Sequence, residues 1–95
     1  MPKAITPHPD AILLGGMIRQ LRTQRGWNIR TCARHLELTP SHLGIIEAGG
    51  NMPSIHLLLR VAQVFGVEAW TLMKTFVEAR NAEMAAEAAA KAARR

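Results

Sequence analysis

The amino-acid sequence predicts an all-α fold of five helices, the last one extended. Three observations carry this. Apolar residues recur at three- and four-residue intervals, as in Leu14, Met17, Ile18 and Leu21, or Leu58, Val61, Ala62 and Phe65, which is the period of a helix. Caps and stops punctuate the chain: Asp10, Asn28, Thr39 and Ser54 suit N-caps, and Gly26 and Gly66 suit helix ends. From Lys74 onward the chain is rich in Ala, Glu, Lys and Arg, the strongest helix formers.

In chain order, Met1 to Pro9 reads as a flexible arm, because Pro2, Pro7 and Pro9 oppose a helix. Lys3 and His8 are its polar handles, and it either touches a ligand or is a frayed end. Helix 1 should run from an Asp10 cap to about Gln24. Gly15-Gly16 weakens it by roughly 1 kcal/mol per Gly relative to Ala, and close helix approach is the physical use for a glycine there. Helix 2 should follow the Asn28 cap to Leu36, with Cys32, Ala33 and Leu36 inward and Trp27 as a lid. Cys32 reads as a small buried hydrophobe. Helix 3 should open on Thr39, with Pro40 at the first helical position where a missing N–H costs nothing. Its inward residues are Leu43 and Ile46. Only Glu37 and Leu38 separate the two short helices, so together they form a helix-turn-helix.

The run Ala48-Gly49-Gly50-Asn51-Met52-Pro53-Ser54 reads as a loop. Ser54 then caps helix 4, whose inward stripe is Leu58, Val61, Ala62 and Phe65. Helix 5 should start near Glu68, take apolar contacts from Trp70, Leu72 and Met73, and continue to about Ala93. The expected division is a flexible arm over 1–9, a helix-turn-helix domain over 10–73, and an Ala-rich C-terminal helix over 74–95. For that helix two readings stand: a dimerisation element using Phe76, Val77 and Met84, or a solvated, fraying helix.

Ninety-five residues make one small domain with a modest core. Aromatics are only 4%, so the core must be aliphatic. One cysteine rules out an internal disulfide framework. No apolar run approaches the roughly 18 residues of a membrane span, and Met1 to Pro9 does not resemble a signal peptide, so a cytoplasmic protein without membrane contact is expected. The formal charge of +5 is unevenly placed. Residues 1–38 hold six basic and two acidic side chains, residues 39–73 one and two, and residues 74–95 five and three. The positive charge therefore sits on the first two helices and the tail. It is either a phosphate-contacting face or a solvated surface.

The run Arg22…Arg25-Gly26-Trp27-Asn28, Ala33, Leu38-Thr39, Leu43, Ile46-Glu47, Gly49, Pro53-Ser54, Leu58, Val61-Ala62, Phe65-Gly66-Val67 resembles the Cro/C1-type, lambda-repressor-like (XRE) DNA-binding domain. The likeness covers roughly Leu14 to Met73. It implies a five-helix lambda-repressor-like helix-turn-helix fold, double-stranded DNA as partner, and a homodimeric transcriptional regulator, most simply a repressor. It also implies a partly buried ion pair between Arg22 and Glu47 that holds the recognition helix against helix 1.

The resemblance puts the outer face of helix 3 in the major groove. Here that face is Pro40, Ser41, His42, Gly44, Ile45 and Ala48. It lacks the Arg, Lys, Asn and Gln side chains that read base edges best. Thr39, Ser41 and His42 are the candidates for groove and backbone contacts, Ile45 for a thymine methyl, Arg30 and Arg34 for phosphates, and Asn51 for the loop's backbone contact. Ile29 stands where relatives often carry a Gln, and the loop around Gly50-Asn51 lacks their Lys or Arg. Direct readout should be modest, with phosphates and DNA shape carrying more.

A second class stays open: a protein-interaction module on the same fold, docking through Gly44, Ile45 and Ala48, such as an antitoxin of a toxin–antitoxin pair. Catalysis is not expected. The histidines at 8, 35, 42 and 56 show no metal-ligand spacing, and no nucleophile, base and orienting group assemble. No cofactor and no metal are expected.

Overall fold

A computed structural model describes residues 8–94. Among them are five helices and no strand: α1 (Pro9–Gln24), α2 (Ile29–His35), α3 (Pro40–Glu47), α4 (Ile55–Phe65) and α5 (Ala69–Ala93). Residues 1–7, most of the expected arm and its Lys3, lie outside the described set. Leu14 and Ile18 of α1, Cys32 and Leu36 of α2 and its end, Leu43 and Ile46 of α3, and Val61 of α4 are the fully buried centre of one core. Burial of each large aliphatic side chain contributes about 2 kcal/mol. Leu57, Leu58, Phe65, Leu72 and Phe76 close the core from the α4 and α5 side.

The helix starts follow local side-chain chemistry. Asn28 Oδ1 accepts from the Thr31 N–H at 2.8 Å, Thr39 Oγ1 from His42 N–H at 3.1 Å, and Ser54 Oγ from Leu57 N–H at 3.0 Å. These are the three expected caps. The start of α1 differs. Pro9 takes the first helical position, so the cap is His8, whose Nδ1 accepts from the Asp10 N–H at 3.1 Å. Proline's fixed φ favours that place over one before the helix. Asp10 moves into the first turn, where the helix dipole favours an acid, and its Oδ1 accepts from Arg80 Nε at 2.9 Å.

The helix ends share one device. After α1, α2, α3 and α4 the chain enters the left-handed region at Gly26, Glu37, Gly49 and Gly66. In each case two backbone N–H groups turn back onto the helix's last carbonyls, as when Glu37 and Leu38 donate to Arg34 and Ala33. Three of these positions are glycine, and the fourth is Glu37 at φ 58. A side chain there carries a cost of about 1 kcal/mol. Glu37 is held by an ion pair to Arg60 of α4, which fastens the turn between α2 and α3 to the next helix.

One sequence expectation is sharpened and two need correction. A Cβ on Gly15 would lie 2.1 Å from the Ile46 carbonyl oxygen, so α1 and α3 meet there at backbone distance, whereas a Cβ on Gly16 would meet nothing within 4 Å. Only the first glycine of the pair serves close approach. Trp70, expected inward, is 64% exposed, because it lies 200° around the helix from buried Leu72. Phe76, expected at a dimer seam, is 7% exposed and belongs to this chain's own core. It stands one turn after Leu72 and shares its inward face. Val77 and Met84 stay outside. Residues 81–94 are exposed throughout.

Candidate functional site

The site is organised by how α3 is held. Leu43 and Ile46 are wholly buried, and Gly15 lets the end of α3 lie directly on α1. The orientation is locked by Arg22. Its Nε and Nη2 donate to the two carboxylate oxygens of Glu47 at 2.8 and 2.9 Å, and its Nη1 donates to the Trp27 carbonyl at 3.0 Å. One guanidinium thus ties α1, the turn into α2 and the last residue of α3. The paired side chains are 14% and 6% exposed. The hydrogen bond to Glu47 raises the Arg22 pKa above its ordinary value against the opposing effect of burial. The contact is a fork of two parallel N–H···O bonds, geometry that a lysine cannot reproduce.

The opposite face of α3 is open. Thr39, Pro40, Ser41, His42 and Ala48 are exposed, while Gly44 and Ile45 are half-buried. A Cβ on Gly44 would touch Ile29 at 3.6 Å. Ile29 therefore packs the two helices of the motif together. Of the docking patch Gly44, Ile45 and Ala48, only Ala48 is fully exposed.

The basic residues of α1, α2 and the turn between them divide into two sets. Arg22 is spent on Glu47. Arg25 lies over the rings of Trp27 and Phe65 at 4.9 and 5.3 Å, and its Nη2 donates to the Phe65 carbonyl at 3.3 Å. Trp27 in turn stacks on His35 with ring centres 4.3 Å apart. Arg19, Arg30 and Arg34 remain exposed, and among the described residues none of them has an ion-pair partner. Asn51 is exposed in the loop after α3. Beside the start of α3 lies an open cleft of about 470 Å³, with Leu36, Ile46 and Leu57 as its floor and His42, Asn51 and Arg60 on its rim.

Sequence reasoning assigned no contact to Arg60 or Arg25. Arg60 faces Glu37 across a gap of more than 20 positions, and no periodicity signals such a pair. Arg25 beside Trp27 carried a weak signal, since a guanidinium next to an indole often stacks on it.

The remaining chemistry is sparse. Burial pushes the Cys32 thiol up, the Glu47 carboxylate adds to this, and Arg22 opposes it. Cys32 is thus a packed hydrophobe and not a thiolate. Among the described residues no three His, Cys, Asp or Glu side chains gather as a metal site. No single helix there is long and apolar enough to cross a membrane. Helices α4 and α5 reach that length only together, bent at 114°, and α4 buries its apolar stripe in the core.

A family model described as "Helix-turn-helix domain" matches residues 13–70, from the middle of α1 to the start of α5. The chain belongs to the helix-turn-helix domain family. Its likeness to the Cro/C1-type, lambda-repressor-like members extends to solved structures. The restriction-modification controller protein C.AhdI from Aeromonas hydrophila superposes with a TM-score of 0.63 at 29% identity, covering 68% of this chain and 98% of that one. The clp gene regulator ClgR from Corynebacterium glutamicum superposes with a TM-score of 0.75 over 92% of this chain and 93% of that one. At 22% identity it shares the fold. In sequence, the HTH-type transcriptional regulator RamB of Mycobacterium tuberculosis is 41% identical over 56 residues, 59% of this chain. That match covers 12% of RamB's length.

Proposed function

We propose that this chain is a sequence-specific, double-stranded-DNA-binding module of a transcriptional regulator, most simply a repressor that acts as a dimer on a two-fold operator. The observation that carries this reading is the contrast across α3. One face is locked to α1 by the Arg22–Glu47 pair, the other presents exposed Thr39, Ser41 and His42, and α2, packed against α3, carries exposed Arg30 and Arg34. A short helix held rigidly by its back, with exposed cations on the helix packed against it, suits insertion into a groove between phosphates. The names of RamB and C.AhdI as regulator and controller support the same reading.

In this reading Arg30 and Arg34 hold phosphates, Asn51 adds a backbone contact, Ser41 and His42 make single hydrogen bonds to base edges, and Ile45 approaches a thymine methyl. No bidentate base reader is on the face, so DNA shape carries much of the preference. The antitoxin-like alternative is not favoured, because Ile29 covers part of the Gly44–Ile45–Ala48 patch.

The test is fluorescence anisotropy with the full chain against a pool of genomic upstream duplexes and a scrambled control. With several phosphates neutralised, affinity should fall by roughly a hundredfold or more between 50 and 200 mM salt. Arg30→Ala should weaken all duplexes alike and flatten the salt slope by about one. Ser41→Ala combined with His42→Ala should change which duplexes are preferred. Equal binding of every duplex by parent and variants would reject the site.

A further inference from the structure

The outer face of α5 carries an apolar stripe that the chain does not cover. Trp70, Val77 and Met84 are 64%, 42% and 53% exposed, and they recur every seven residues. At that spacing they drift only about 20° per heptad around a straight helix, so they form a single line about 21 Å long. A shallow groove of about 590 Å³ opens on this line, walled by Trp70, Met73, Lys74, Val77 and Glu78. The Lys74 ammonium sits 5.7 Å from the centre of the Trp70 ring. Beyond residue 80 every described residue is exposed, and a free helix of that length is marginal in water.

We propose that this stripe is the seat of a second copy of the chain, with the two α5 helices packed antiparallel about Val77. The pattern is complementary to its own reversal. With Val77 against Val77 on the two-fold axis, Trp70 of each copy faces Met84 of the other. The flexible methionine then enters the groove beside the indole, a favourable sulfur–aromatic contact. Lys74 and Glu78 lie on the same flank of the stripe, three residues before and one residue after Val77. Reversal brings Lys74 of one copy to within about 3 Å, along the axis, of Glu78 of the other, so two reciprocal ion pairs form. A parallel two-fold pairing sets the Lys74–Glu78 flanks of the two copies on opposite sides of the seam, so these ion pairs do not form. This charge pattern favours a second copy over an unrelated apolar partner, since an isologous contact needs one self-complementary patch. The stripe is short against the roughly 800 Å² per partner of a standard interface, so the pairing is reversible and concentration-dependent.

The inference rests on the dimeric-regulator reading and is tested apart from DNA. Sedimentation of the full chain from about 1 to 200 µM should show a monomer–dimer equilibrium. Val77→Asp should raise the dimer dissociation constant at least about tenfold, with helicity by circular dichroism unchanged because Val77 is outside the core. Lys74→Glu should weaken the dimer, and adding Glu78→Lys should restore it. Val77→Cys should cross-link to itself on oxidation. Met84→Cys should not, because the two sulfurs would stand about 21 Å apart along the axis.

A parent that stays monomeric over the whole range, a Val77→Asp variant that dimerises like the parent, or self-linking of Met84→Cys as fast as Val77→Cys would each overturn the proposal. The DNA reading is scored separately by anisotropy. A dimer that binds no duplex rejects that reading and leaves the interface standing, whereas duplex binding by a strict monomer does the reverse.

Discussion

Helix α3 and the distal half of α5 both turn a face to solvent, and they are held in opposite ways. Helix α3 has only eight residues, too few to persist alone. Its position is over-determined by two buried aliphatics, a backbone-to-backbone contact at Gly15 and the forked Arg22–Glu47 pair. Helix α5 has twenty-five residues, but its inward anchors are Leu72, Phe76 and the Arg80–Asp10 pair near its beginning. Beyond them it is helical because alanine, glutamate, lysine and arginine favour a helix. A short helix set by tertiary contacts can present a precise surface; a long one set by propensity is steady only where something packs on it.

The strongest way to break this contrast is to strand a charge behind α3. Glu47→Ala leaves the Arg22 guanidinium without its partner in a nearly buried place, with an expected cost of about 3–5 kcal/mol in urea unfolding. Replacing both, Arg22→Leu with Glu47→Leu, should recover most of that stability while α3 loses its fixed orientation, so duplex affinity should stay low. If the double variant is as unstable as the single one, the loss comes from packing and not from an uncompensated charge.

A smaller effect is expected at the glycine contact. Gly15→Ala drives a methyl into the Ile46 carbonyl, and overpacking against backbone costs about 1–3 kcal/mol. Gly16→Ala, one position along and facing open space, should be neutral or stabilising by up to about 1 kcal/mol. The same substitution thus changes sign between neighbours, and equal melting temperatures for the two variants would remove the close approach from the account of α3. The least effect belongs to the tail. Ala88→Gly should cost about 1 kcal/mol of local helix, seen as faster amide exchange around it, with the unfolding midpoint of the core unmoved.

Much of the fold was legible because its signals are local. The Asn28, Thr39 and Ser54 caps each act within one turn, and the α4 stripe is a simple 3.6-residue repeat, so five helices with a helix-turn-helix follow from chain order alone. The site was legible in part. Exposure of Thr39, Ser41, His42, Arg30 and Arg34 follows from polarity and period. Pairing Arg22 with Glu47 needed the family resemblance, because nothing at the two positions indicates that they meet.

What the sequence by itself determined here is the number, order and approximate limits of the helices, since caps, stops and propensity are properties of a few consecutive residues. Tertiary structure alone decided which of two adjacent residues does which task. Gly15 and not Gly16 meets α3; Phe76 and not Val77 enters the core; Trp70 faces out while Leu72 faces in; Glu37, in a backbone conformation that favours glycine, finds Arg60. Each outcome depends on how a helix is rotated about its own axis. That rotation is set by neighbours distant in sequence, through close packing and paired charges, which no short stretch of chain contains.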